Sequence, residues 1–146
     1  MIRVVVSTEP FDIGSELGAL GQAGVGAIAS FIGIVRGDDG LETLTLDHYP
    51  GMTEAALTEV AESAKARWAL HGVLIYHRVG AMAPGDPIVL VGCTSAHRRD
   101  ALESCAFVID RLKTDAPFWK QERFADGREA WVEARATDDA AAARWG

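Results

Sequence analysis

The sequence predicts an α+β fold, in which strand pairs are mixed with separately placed helices. Residues 53–70, and a second stretch that follows Thr94, have apolar residues at helical spacing. Runs of β-branched apolar residues at 2–7 and 73–79 indicate strands. Asp126 and Gly127 mark a hairpin. This mixed order favours α+β over a doubly wound α/β arrangement.

Length and charge limit the classes of function. The chain has 146 residues, which fits one domain that buries roughly 70% of the surface its unfolded form exposes. A net charge of −7 disfavours nucleic acid and anionic membranes as partners. Because no segment has the length of a signal peptide or a membrane span, we expect a cytoplasmic protein. Cys93 and Cys105 match no metal or redox spacing and are expected to be buried free thiols.

The first third of the chain predicts two strand regions around a short helix. The strand at 2–7 is followed by a weak helix at 11–20. Residues 27–35 are apolar and predict a buried strand that places Arg36 at its end. Residues 42–49 alternate in polarity, and we expect them to pair antiparallel with the preceding strand.

The middle of the chain predicts a helix and two strands. The Pro50-Gly51 turn requires a positive φ at Gly51. The helix at 53–70 has a clear apolar stripe and is expected to end at Gly72. Strands are predicted at 73–79 and 88–93.

A second amphipathic helix follows, with Thr94 or Ser95 as its expected cap. Pro117 should end it within a turn after Lys113, because proline lacks an N–H and disfavours helical geometry before it. Lys120 lies beyond this break. The predicted apolar face consists of Leu102, Cys105, Ile109 and Leu112.

The C-terminal part predicts a hairpin and a tail. Strands at residues 121–134 flank Asp126-Gly127, a pair typical of a two-residue type I′ turn. Residues 138–146 are rich in alanine and predict a helical or loose tail.

Cationic side chains are the remaining candidates for chemistry. The four histidines lack metal-ligand spacing, and the serines do not form a nucleophile elbow. Arg36 ends a strand, and His97 with Arg98 begins a helix, where anions commonly bind. The alternative is that these are solvated surface charges. Lys113 and Lys120 are two of only three lysines, and a lysine near apolar neighbours can act as a base or nucleophile.

Several segments, taken in order, also resemble one known family. They are ASFIGIVRG, LDHYPGMTEAAL, HRVGAMAPGD, TSAHRRDALESCAFVIDRLKTDAPFWKQE and GREAWVEAR, and they span about residues 26–145. This combination is similar to the large, catalytic subunit of molybdopterin synthase. The resemblance implies an α/β-hammerhead-like domain with an added antiparallel β subdomain. A departure is Leu102, where the family often has phenylalanine.

The resemblance also implies a reaction and partners. The family converts cyclic pyranopterin monophosphate, or precursor Z, into the molybdopterin dithiolene. Its sulfur comes from the thiocarboxylated Gly-Gly tail of a small ubiquitin-like subunit. The large subunit forms a homodimer within a heterotetramer, and neither a cofactor nor a metal is implied. Two other classes stay open, a non-catalytic adaptor for the sulfur carrier and a regulator that binds a phosphorylated metabolite.

Site residues follow from the resemblance. Lys113 and Lys120 correspond to the catalytic pair. The substrate pocket would be lined by Phe31 and would hold its anion through cationic residues, namely Arg36, His97, Arg98 and Arg135.

These roles raise a geometric problem. His97 and Lys113 are sixteen residues apart, which is about 24 Å along one straight helix. Either the helix begins later and the chain folds back, or the two ends belong to different pockets. We favour a two-fold dimer, in which His97 and Arg98 of one protomer complete the site around Lys113 and Lys120 of the other.

Overall fold

The computed structural model describes residues 1–132 and 136–146, which form eight strands and four helices. The strands are β1 (Ile2–Ser7), β2 (Ala27–Ile34), β3 (Leu41–His48), β4 (Gly72–Arg78), β5 (Gly80–Met82), β6 (Pro87–Ser95), β7 (Phe118–Phe124) and β8 (Glu129–Val132). The helices are α1 (Ile13–Gly18), α2 (Met52–Arg67), α3 (Arg98–Asp115) and α4 (Ala136–Ala143). In this described part of the chain, no helix combines the length and apolarity needed to cross a membrane.

The first sheet has the order β1-β4-β6-β2 and forms the centre of the molecule. β1 lies parallel to β4, whereas β4 with β6 and β6 with β2 are antiparallel. The apolar faces of α2 and α3 pack on one side of this sheet, and the segment around α1 covers the other. The α+β prediction is confirmed, and Cys93 and Cys105 are buried free thiols as expected.

The second sheet, in the order β5-β3-β7-β8, is antiparallel throughout. Its inner face buries a small apolar cluster that includes Leu44, Leu46 and Met82. It is the antiparallel subdomain that the resemblance implied.

The predicted pairing of β2 with β3 is wrong. β2 pairs with β6 in the first sheet, and β3 pairs with β5 and β7 in the second. Between β2 and β3 the chain turns through Asp38–Gly40, where Asp39 and Gly40 have φ values of 57° and 76°. Neighbouring strands in sequence often form a hairpin, but here the connection passes the chain from one sheet to the other.

β2 is also not the fully buried strand that its apolar sequence predicted. It is an edge strand, and Ile34 is 54% exposed. Ile28 and Phe31 are exposed as well, whereas Val35, just beyond the strand, is buried. A run of apolar residues therefore marks a strand here, but it does not mark burial on both faces.

α3 begins later than predicted and faces its core differently. Thr94 and Ser95 belong to β6, and the Ser95 hydroxyl donates to the Ala69 carbonyl at 2.8 Å, so neither caps the helix. His97 is the N-cap residue, without a side-chain capping bond. Leu102 is 61% exposed, so its place in the predicted apolar face is wrong. The residues that face the core are Ala101, Ser104, Cys105, Phe107, Val108 and Leu112.

The ends of α2 and α3 show how local chemistry sets the boundaries. α3 ends at Asp115, as Pro117 predicted. α2 ends at Arg67 rather than near Gly72, because Trp68 is extended (φ −129°, ψ 154°) and packs against the core. Gly51 has a φ of 86°, as expected for the turn before α2.

The C-terminal hairpin is confirmed, but its turn type is not. The Gly127 N–H donates to the Phe124 carbonyl at 3.0 Å, and the Phe124 N–H donates to the Arg128 carbonyl at 2.9 Å. Gly127 has a positive φ of 89°, whereas Asp126 does not have the positive φ that a type I′ turn requires. The connection is a three-residue loop with glycine in the left-handed position.

Candidate active site

The two candidate lysines approach one buried histidine. Lys113 lies in the last turn of α3, and Lys120 lies on β7 beyond the break at Pro117. His77, near the end of β4, is 6% exposed. Burial and then the charges of Lys113 and Lys120 lower the pKa of His77 to about 3. Because both ammonium groups act on this ring, the structure brings the predicted pair together.

Strand pairing explains how Lys120 reaches this position. Lys120 lies opposite Leu46 on β3, and Phe118 lies opposite His48. Alternate residues of a strand share a face, so Phe118 and Lys120 project to the side where Leu46 is buried. The Phe118 ring stacks on His77 with centroids 3.9 Å apart. β7 therefore delivers Lys120 to the boundary between the two sheets.

A buried threonine fixes the start of β7. The Thr53 hydroxyl donates to the Pro117 carbonyl at 3.1 Å and accepts from the Tyr49 N–H at 3.1 Å. Thr53 is fully buried at the start of α2. This side chain joins the turn after β3 to the break after α3, and so it sets the position of the segment between Lys113 and Lys120.

Arg36 lies at the same end of the first sheet as the lysines. In the antiparallel pairing of β2 with β6, Ile34 lies opposite Pro87, and His77 of β4 lies opposite Val89. Arg36 follows two residues after Ile34 and pairs with Asp38 at 3.3 Å, with its side chain 70% exposed. Phe31 lies farther along the exposed edge strand β2.

His97 and Arg98 lie at the opposite end of α3. Both are exposed. The first residue of β2, Ala27, lies opposite Ser95, so the start of β2 is near them in the fold. The continuous helix Arg98–Asp115 excludes the alternative in which the chain folds back between them and Lys113. The predicted Arg135 lies outside the described residues.

Sequence reasoning missed two histidines at this site. His77 faces both lysines, and His48 also acts on the His77 ring from β3. The sequence does not mark either one as a candidate by spacing, because the four histidines lack metal-ligand spacing. A usable signal for His77 was its place in VLIYHRV, where it is a polar residue inside an otherwise apolar strand. Within residues 1–132 and 136–146, no group of His, Cys, Asp and Glu side chains could hold a metal ion.

Two surface clefts lie away from the lysines. One, of about 630 Å³, lies between α2 and α3 and is lined by residues that include Arg67 and Arg111. The other, of about 430 Å³, lies on the outer face of the second sheet beside Trp119 and Trp131. Lys113 and Lys120 line neither cleft, so the candidate site is defined by its charged groups and not by a cavity.

The fold and the site define an α+β protein with a cationic centre where two sheets meet. The sequence model of the family described as MoaE protein matches residues 6–115. The molybdopterin synthase catalytic subunit of Pseudomonas aeruginosa is 52% identical, over 99% of this chain and 99% of that protein. The chain therefore belongs to the MoaE family, and it is an enzyme subunit.

Solved structures agree with this assignment. The molybdopterin biosynthesis MoaE protein of Burkholderia ambifaria is 50% identical and superimposes with a TM-score of 0.87, covering 100% of this chain and 99% of that one. A protein–protein complex of subunits 1 and 2 of the molybdopterin-converting factor from Helicobacter pylori contains a chain with 22% identity and a TM-score of 0.75. That match covers 92% of this chain and 91% of the other, and it shows the shared fold.

Proposed function

We propose that this subunit transfers sulfur from the thiocarboxylated C-terminus of a small sulfur-carrier subunit to precursor Z, forming the molybdopterin dithiolene. The observation that carries the proposal is the approach of Lys113 and Lys120 to one buried ring, His77. A thiocarboxylate and a phosphate are both anionic, and an acidic protein must bring its few cations together where such groups meet. Membership of the MoaE family supports the same reaction.

The lysines have a direct chemical use in this reaction. Once the thiocarboxylate sulfur has bonded to the pterin, water attacks the carbonyl carbon and negative charge develops on the carbonyl oxygen. Collapse of this oxyanion breaks the acyl carbon–sulfur bond, which leaves the sulfur on the pterin and a carboxylate on the small subunit. A positioned ammonium group stabilises that oxyanion more strongly than it stabilises the ground state, and so it raises the rate. Placement of Lys113 on a helix and Lys120 on a strand gives both groups a rigid support.

The remaining anion-binding residues require a second copy of the chain. Arg36 lies at the lysine end of the first sheet, whereas His97 and Arg98 lie at the other end of α3. In the proposed homodimer, the partner protomer supplies His97 and Arg98, and Phe31 lines the shared pocket. A small subunit at each end completes a heterotetramer, and we expect this assembly in the cytoplasm.

Lysine substitution tests the reaction directly. Purified Lys113→Ala and Lys120→Ala chains are mixed with thiocarboxylated small subunit and precursor Z, and the dithiolene product is quantified by mass spectrometry. We expect normal folding and normal small-subunit binding but a turnover reduced by about 100-fold or more, as for loss of a group that acts in the transition state.

The third lysine gives a matched control. Lys65 lies on α2, near the N-terminal amine, and is not among the groups that act on His77. Lys65→Ala should therefore keep full turnover. Full activity in both Lys113→Ala and Lys120→Ala would refute the catalytic assignment.

A further inference from the structure

We infer that His77 is a positioning residue for the lysine pair, an uncharged hydrogen-bond acceptor held beside Lys113 and Lys120. The catalytic consequence of this inference rests on the proposed function. The effect of the His77 ring on the two lysines does not, and it can be tested without measuring turnover. Four features of the site support it: the tautomer, the orientation, the surrounding charges and the burial of the ring.

A backbone contact sets the tautomer of His77. Its Nδ1 lies 2.8 Å from the Arg78 carbonyl oxygen. A carbonyl only accepts, so Nδ1 carries the hydrogen and donates it. Nε2 is then the ring nitrogen with a free lone pair, and the imidazole offers an acceptor without carrying a negative charge.

A stacked ring sets the orientation. His77 and Phe118 lie with centroids 3.9 Å apart and ring planes 21° apart. Phe118 is two residues before Lys120 on β7 and therefore projects from the same strand face. The stack joins the imidazole to the strand that carries one lysine, and the charge of the other, Lys113 in the last turn of α3, also acts on the ring.

Burial and the charged surroundings together keep the ring neutral. Lys113 faces it from α3, Lys120 from β7 and His48 from β3, and on its own strand the Arg78 carbonyl accepts its hydrogen. Burial, followed by the charges of Lys113 and Lys120, lowers the pKa of His77 to about 3. An imidazolium would repel both ammonium groups, whereas a neutral ring with a free lone pair favours the charged form of a nearby lysine.

Amine labelling of the lysines tests this role. An amine-reactive reagent is applied across a pH series, and modification of each lysine is quantified by peptide mass spectrometry. His77→Phe preserves a stacking ring but removes the acceptor. We expect the pH of half-maximal labelling of Lys113 or Lys120 to fall by about one unit, because a contact that favours the charged form is lost. Lys65 in the same chain is the internal reference and should not change.

Two further variants separate positioning from general structural damage. His77→Gln restores an acceptor and should return the labelling profile most of the way to that of the wild type. His71→Phe changes an exposed histidine before β4 and should leave all three profiles unchanged. If His77→Phe does not fold, His77→Gln, which keeps an acceptor, is compared with His77→Leu, which has none. Circular dichroism verifies that both variants fold.

The outcomes distinguish this inference from the proposed reaction. Identical labelling profiles in folded His77→Phe and wild type would overturn the positioning role, whatever the activity. A shifted profile together with full turnover in both lysine variants would keep the positioning role and remove the catalytic one. If His77 positions the lysines and the lysines are catalytic, His77→Phe should lower kcat at least about tenfold and leave KM for precursor Z within about a factor of two.

Discussion

Three exposed side chains, Arg36, His97 and Arg98, are the proposed anchors of the substrate phosphate. Each alanine variant should weaken binding of precursor Z by roughly 1.5 to 3 kcal/mol, the range for hydrogen bonds to charged groups. The loss should shrink as salt is added, because the side chains are exposed and their charges are screened. Isothermal titration calorimetry at low and high salt measures both effects.

Arg99 is a matched control for this series. It lies in the same first turn of α3 as Arg98, is exposed, and pairs with Glu103 at 3.9 Å. Arg99→Ala should leave the affinity for precursor Z unchanged. If all three anchor variants also bind as tightly as wild type, these residues are ordinary surface charges, the alternative that the sequence left open.

Burial of a neutral His77 predicts a pH-dependent stability. Its pKa is about 3 in the folded chain and 6.5 as a free side chain. Between these values the unfolded chain binds more protons, so the free energy of unfolding falls as pH falls below 6.5. This single group contributes a loss of about 2 kcal/mol between pH 7 and pH 5.

Substitution of His77 isolates that contribution. Urea unfolding of wild type and His77→Phe at pH 7 and pH 5 gives the loss of stability in each chain. The variant should lose about 2 kcal/mol less than wild type, because phenylalanine does not titrate. Equal losses in the two chains would show that His77 takes up a proton in the folded state.

At the scale of elements, a close backbone approach joins β2 to the start of α3. A Cβ at Gly26 would lie 2.1 Å from the Ala96 carbonyl oxygen, and the Gly26 N–H donates to the Ser95 carbonyl at 2.9 Å. Gly26→Ala must therefore displace backbone and should destabilise the chain by roughly 1 to 3 kcal/mol. Urea unfolding measures the loss. Gly18→Ala, at the end of α1 with no atom within 4 Å, should be neutral or slightly stabilising.

Local sequence predicted the elements better than their pairing. The helix end before Pro117, the positive φ at Gly51 and the strand Ile2–Ser7 all follow from short-range chemistry, and the structure confirms them. The pairing of β2 with β6 joins residues about sixty positions apart, and no local signal specifies it. The predicted Thr94 or Ser95 cap failed for the same reason, since both residues are used in the ladder of β6.

The candidate site also has a part that was predicted from the sequence and a part that was not. The resemblance supplied Lys113 and Lys120, and the structure brings them to a common point. The sequence marks His77 as a polar residue in an apolar strand, but it does not reveal the role of this residue, which depends on Phe118, Lys113 and Lys120 from other elements. Buried polar residues in apolar strands are therefore worth testing against the fold even when their spacing suggests nothing.

At the scale of the whole molecule, the proposed anion site is split between two ends. The straight helix α3 separates His97 from Lys113 by about 24 Å, at 1.5 Å for each of sixteen residues. One small pterin cannot contact both within a single chain. A two-fold dimer solves this problem if each pocket takes its lysines from one protomer and its His97 and Arg98 from the other.

Mixing two inactive variants tests that arrangement. Each hybrid dimer of a His97→Ala chain with a Lys113→Ala chain would contain one pocket with both changes and one pocket with neither. Random exchange of equal amounts makes about half of the dimers hybrid, and each hybrid has one intact pocket out of two. About a quarter of all pockets are then intact, so the mixture should recover roughly a quarter of the turnover of the same amount of wild type.

Subunit exchange is verified by native mass spectrometry of chains with different tags. The double variant, His97→Ala with Lys113→Ala, mixed with either single variant is the control and should recover nothing. If hybrids form and activity does not return, each pocket is built from a single chain, and the partner's His97 has no part in it.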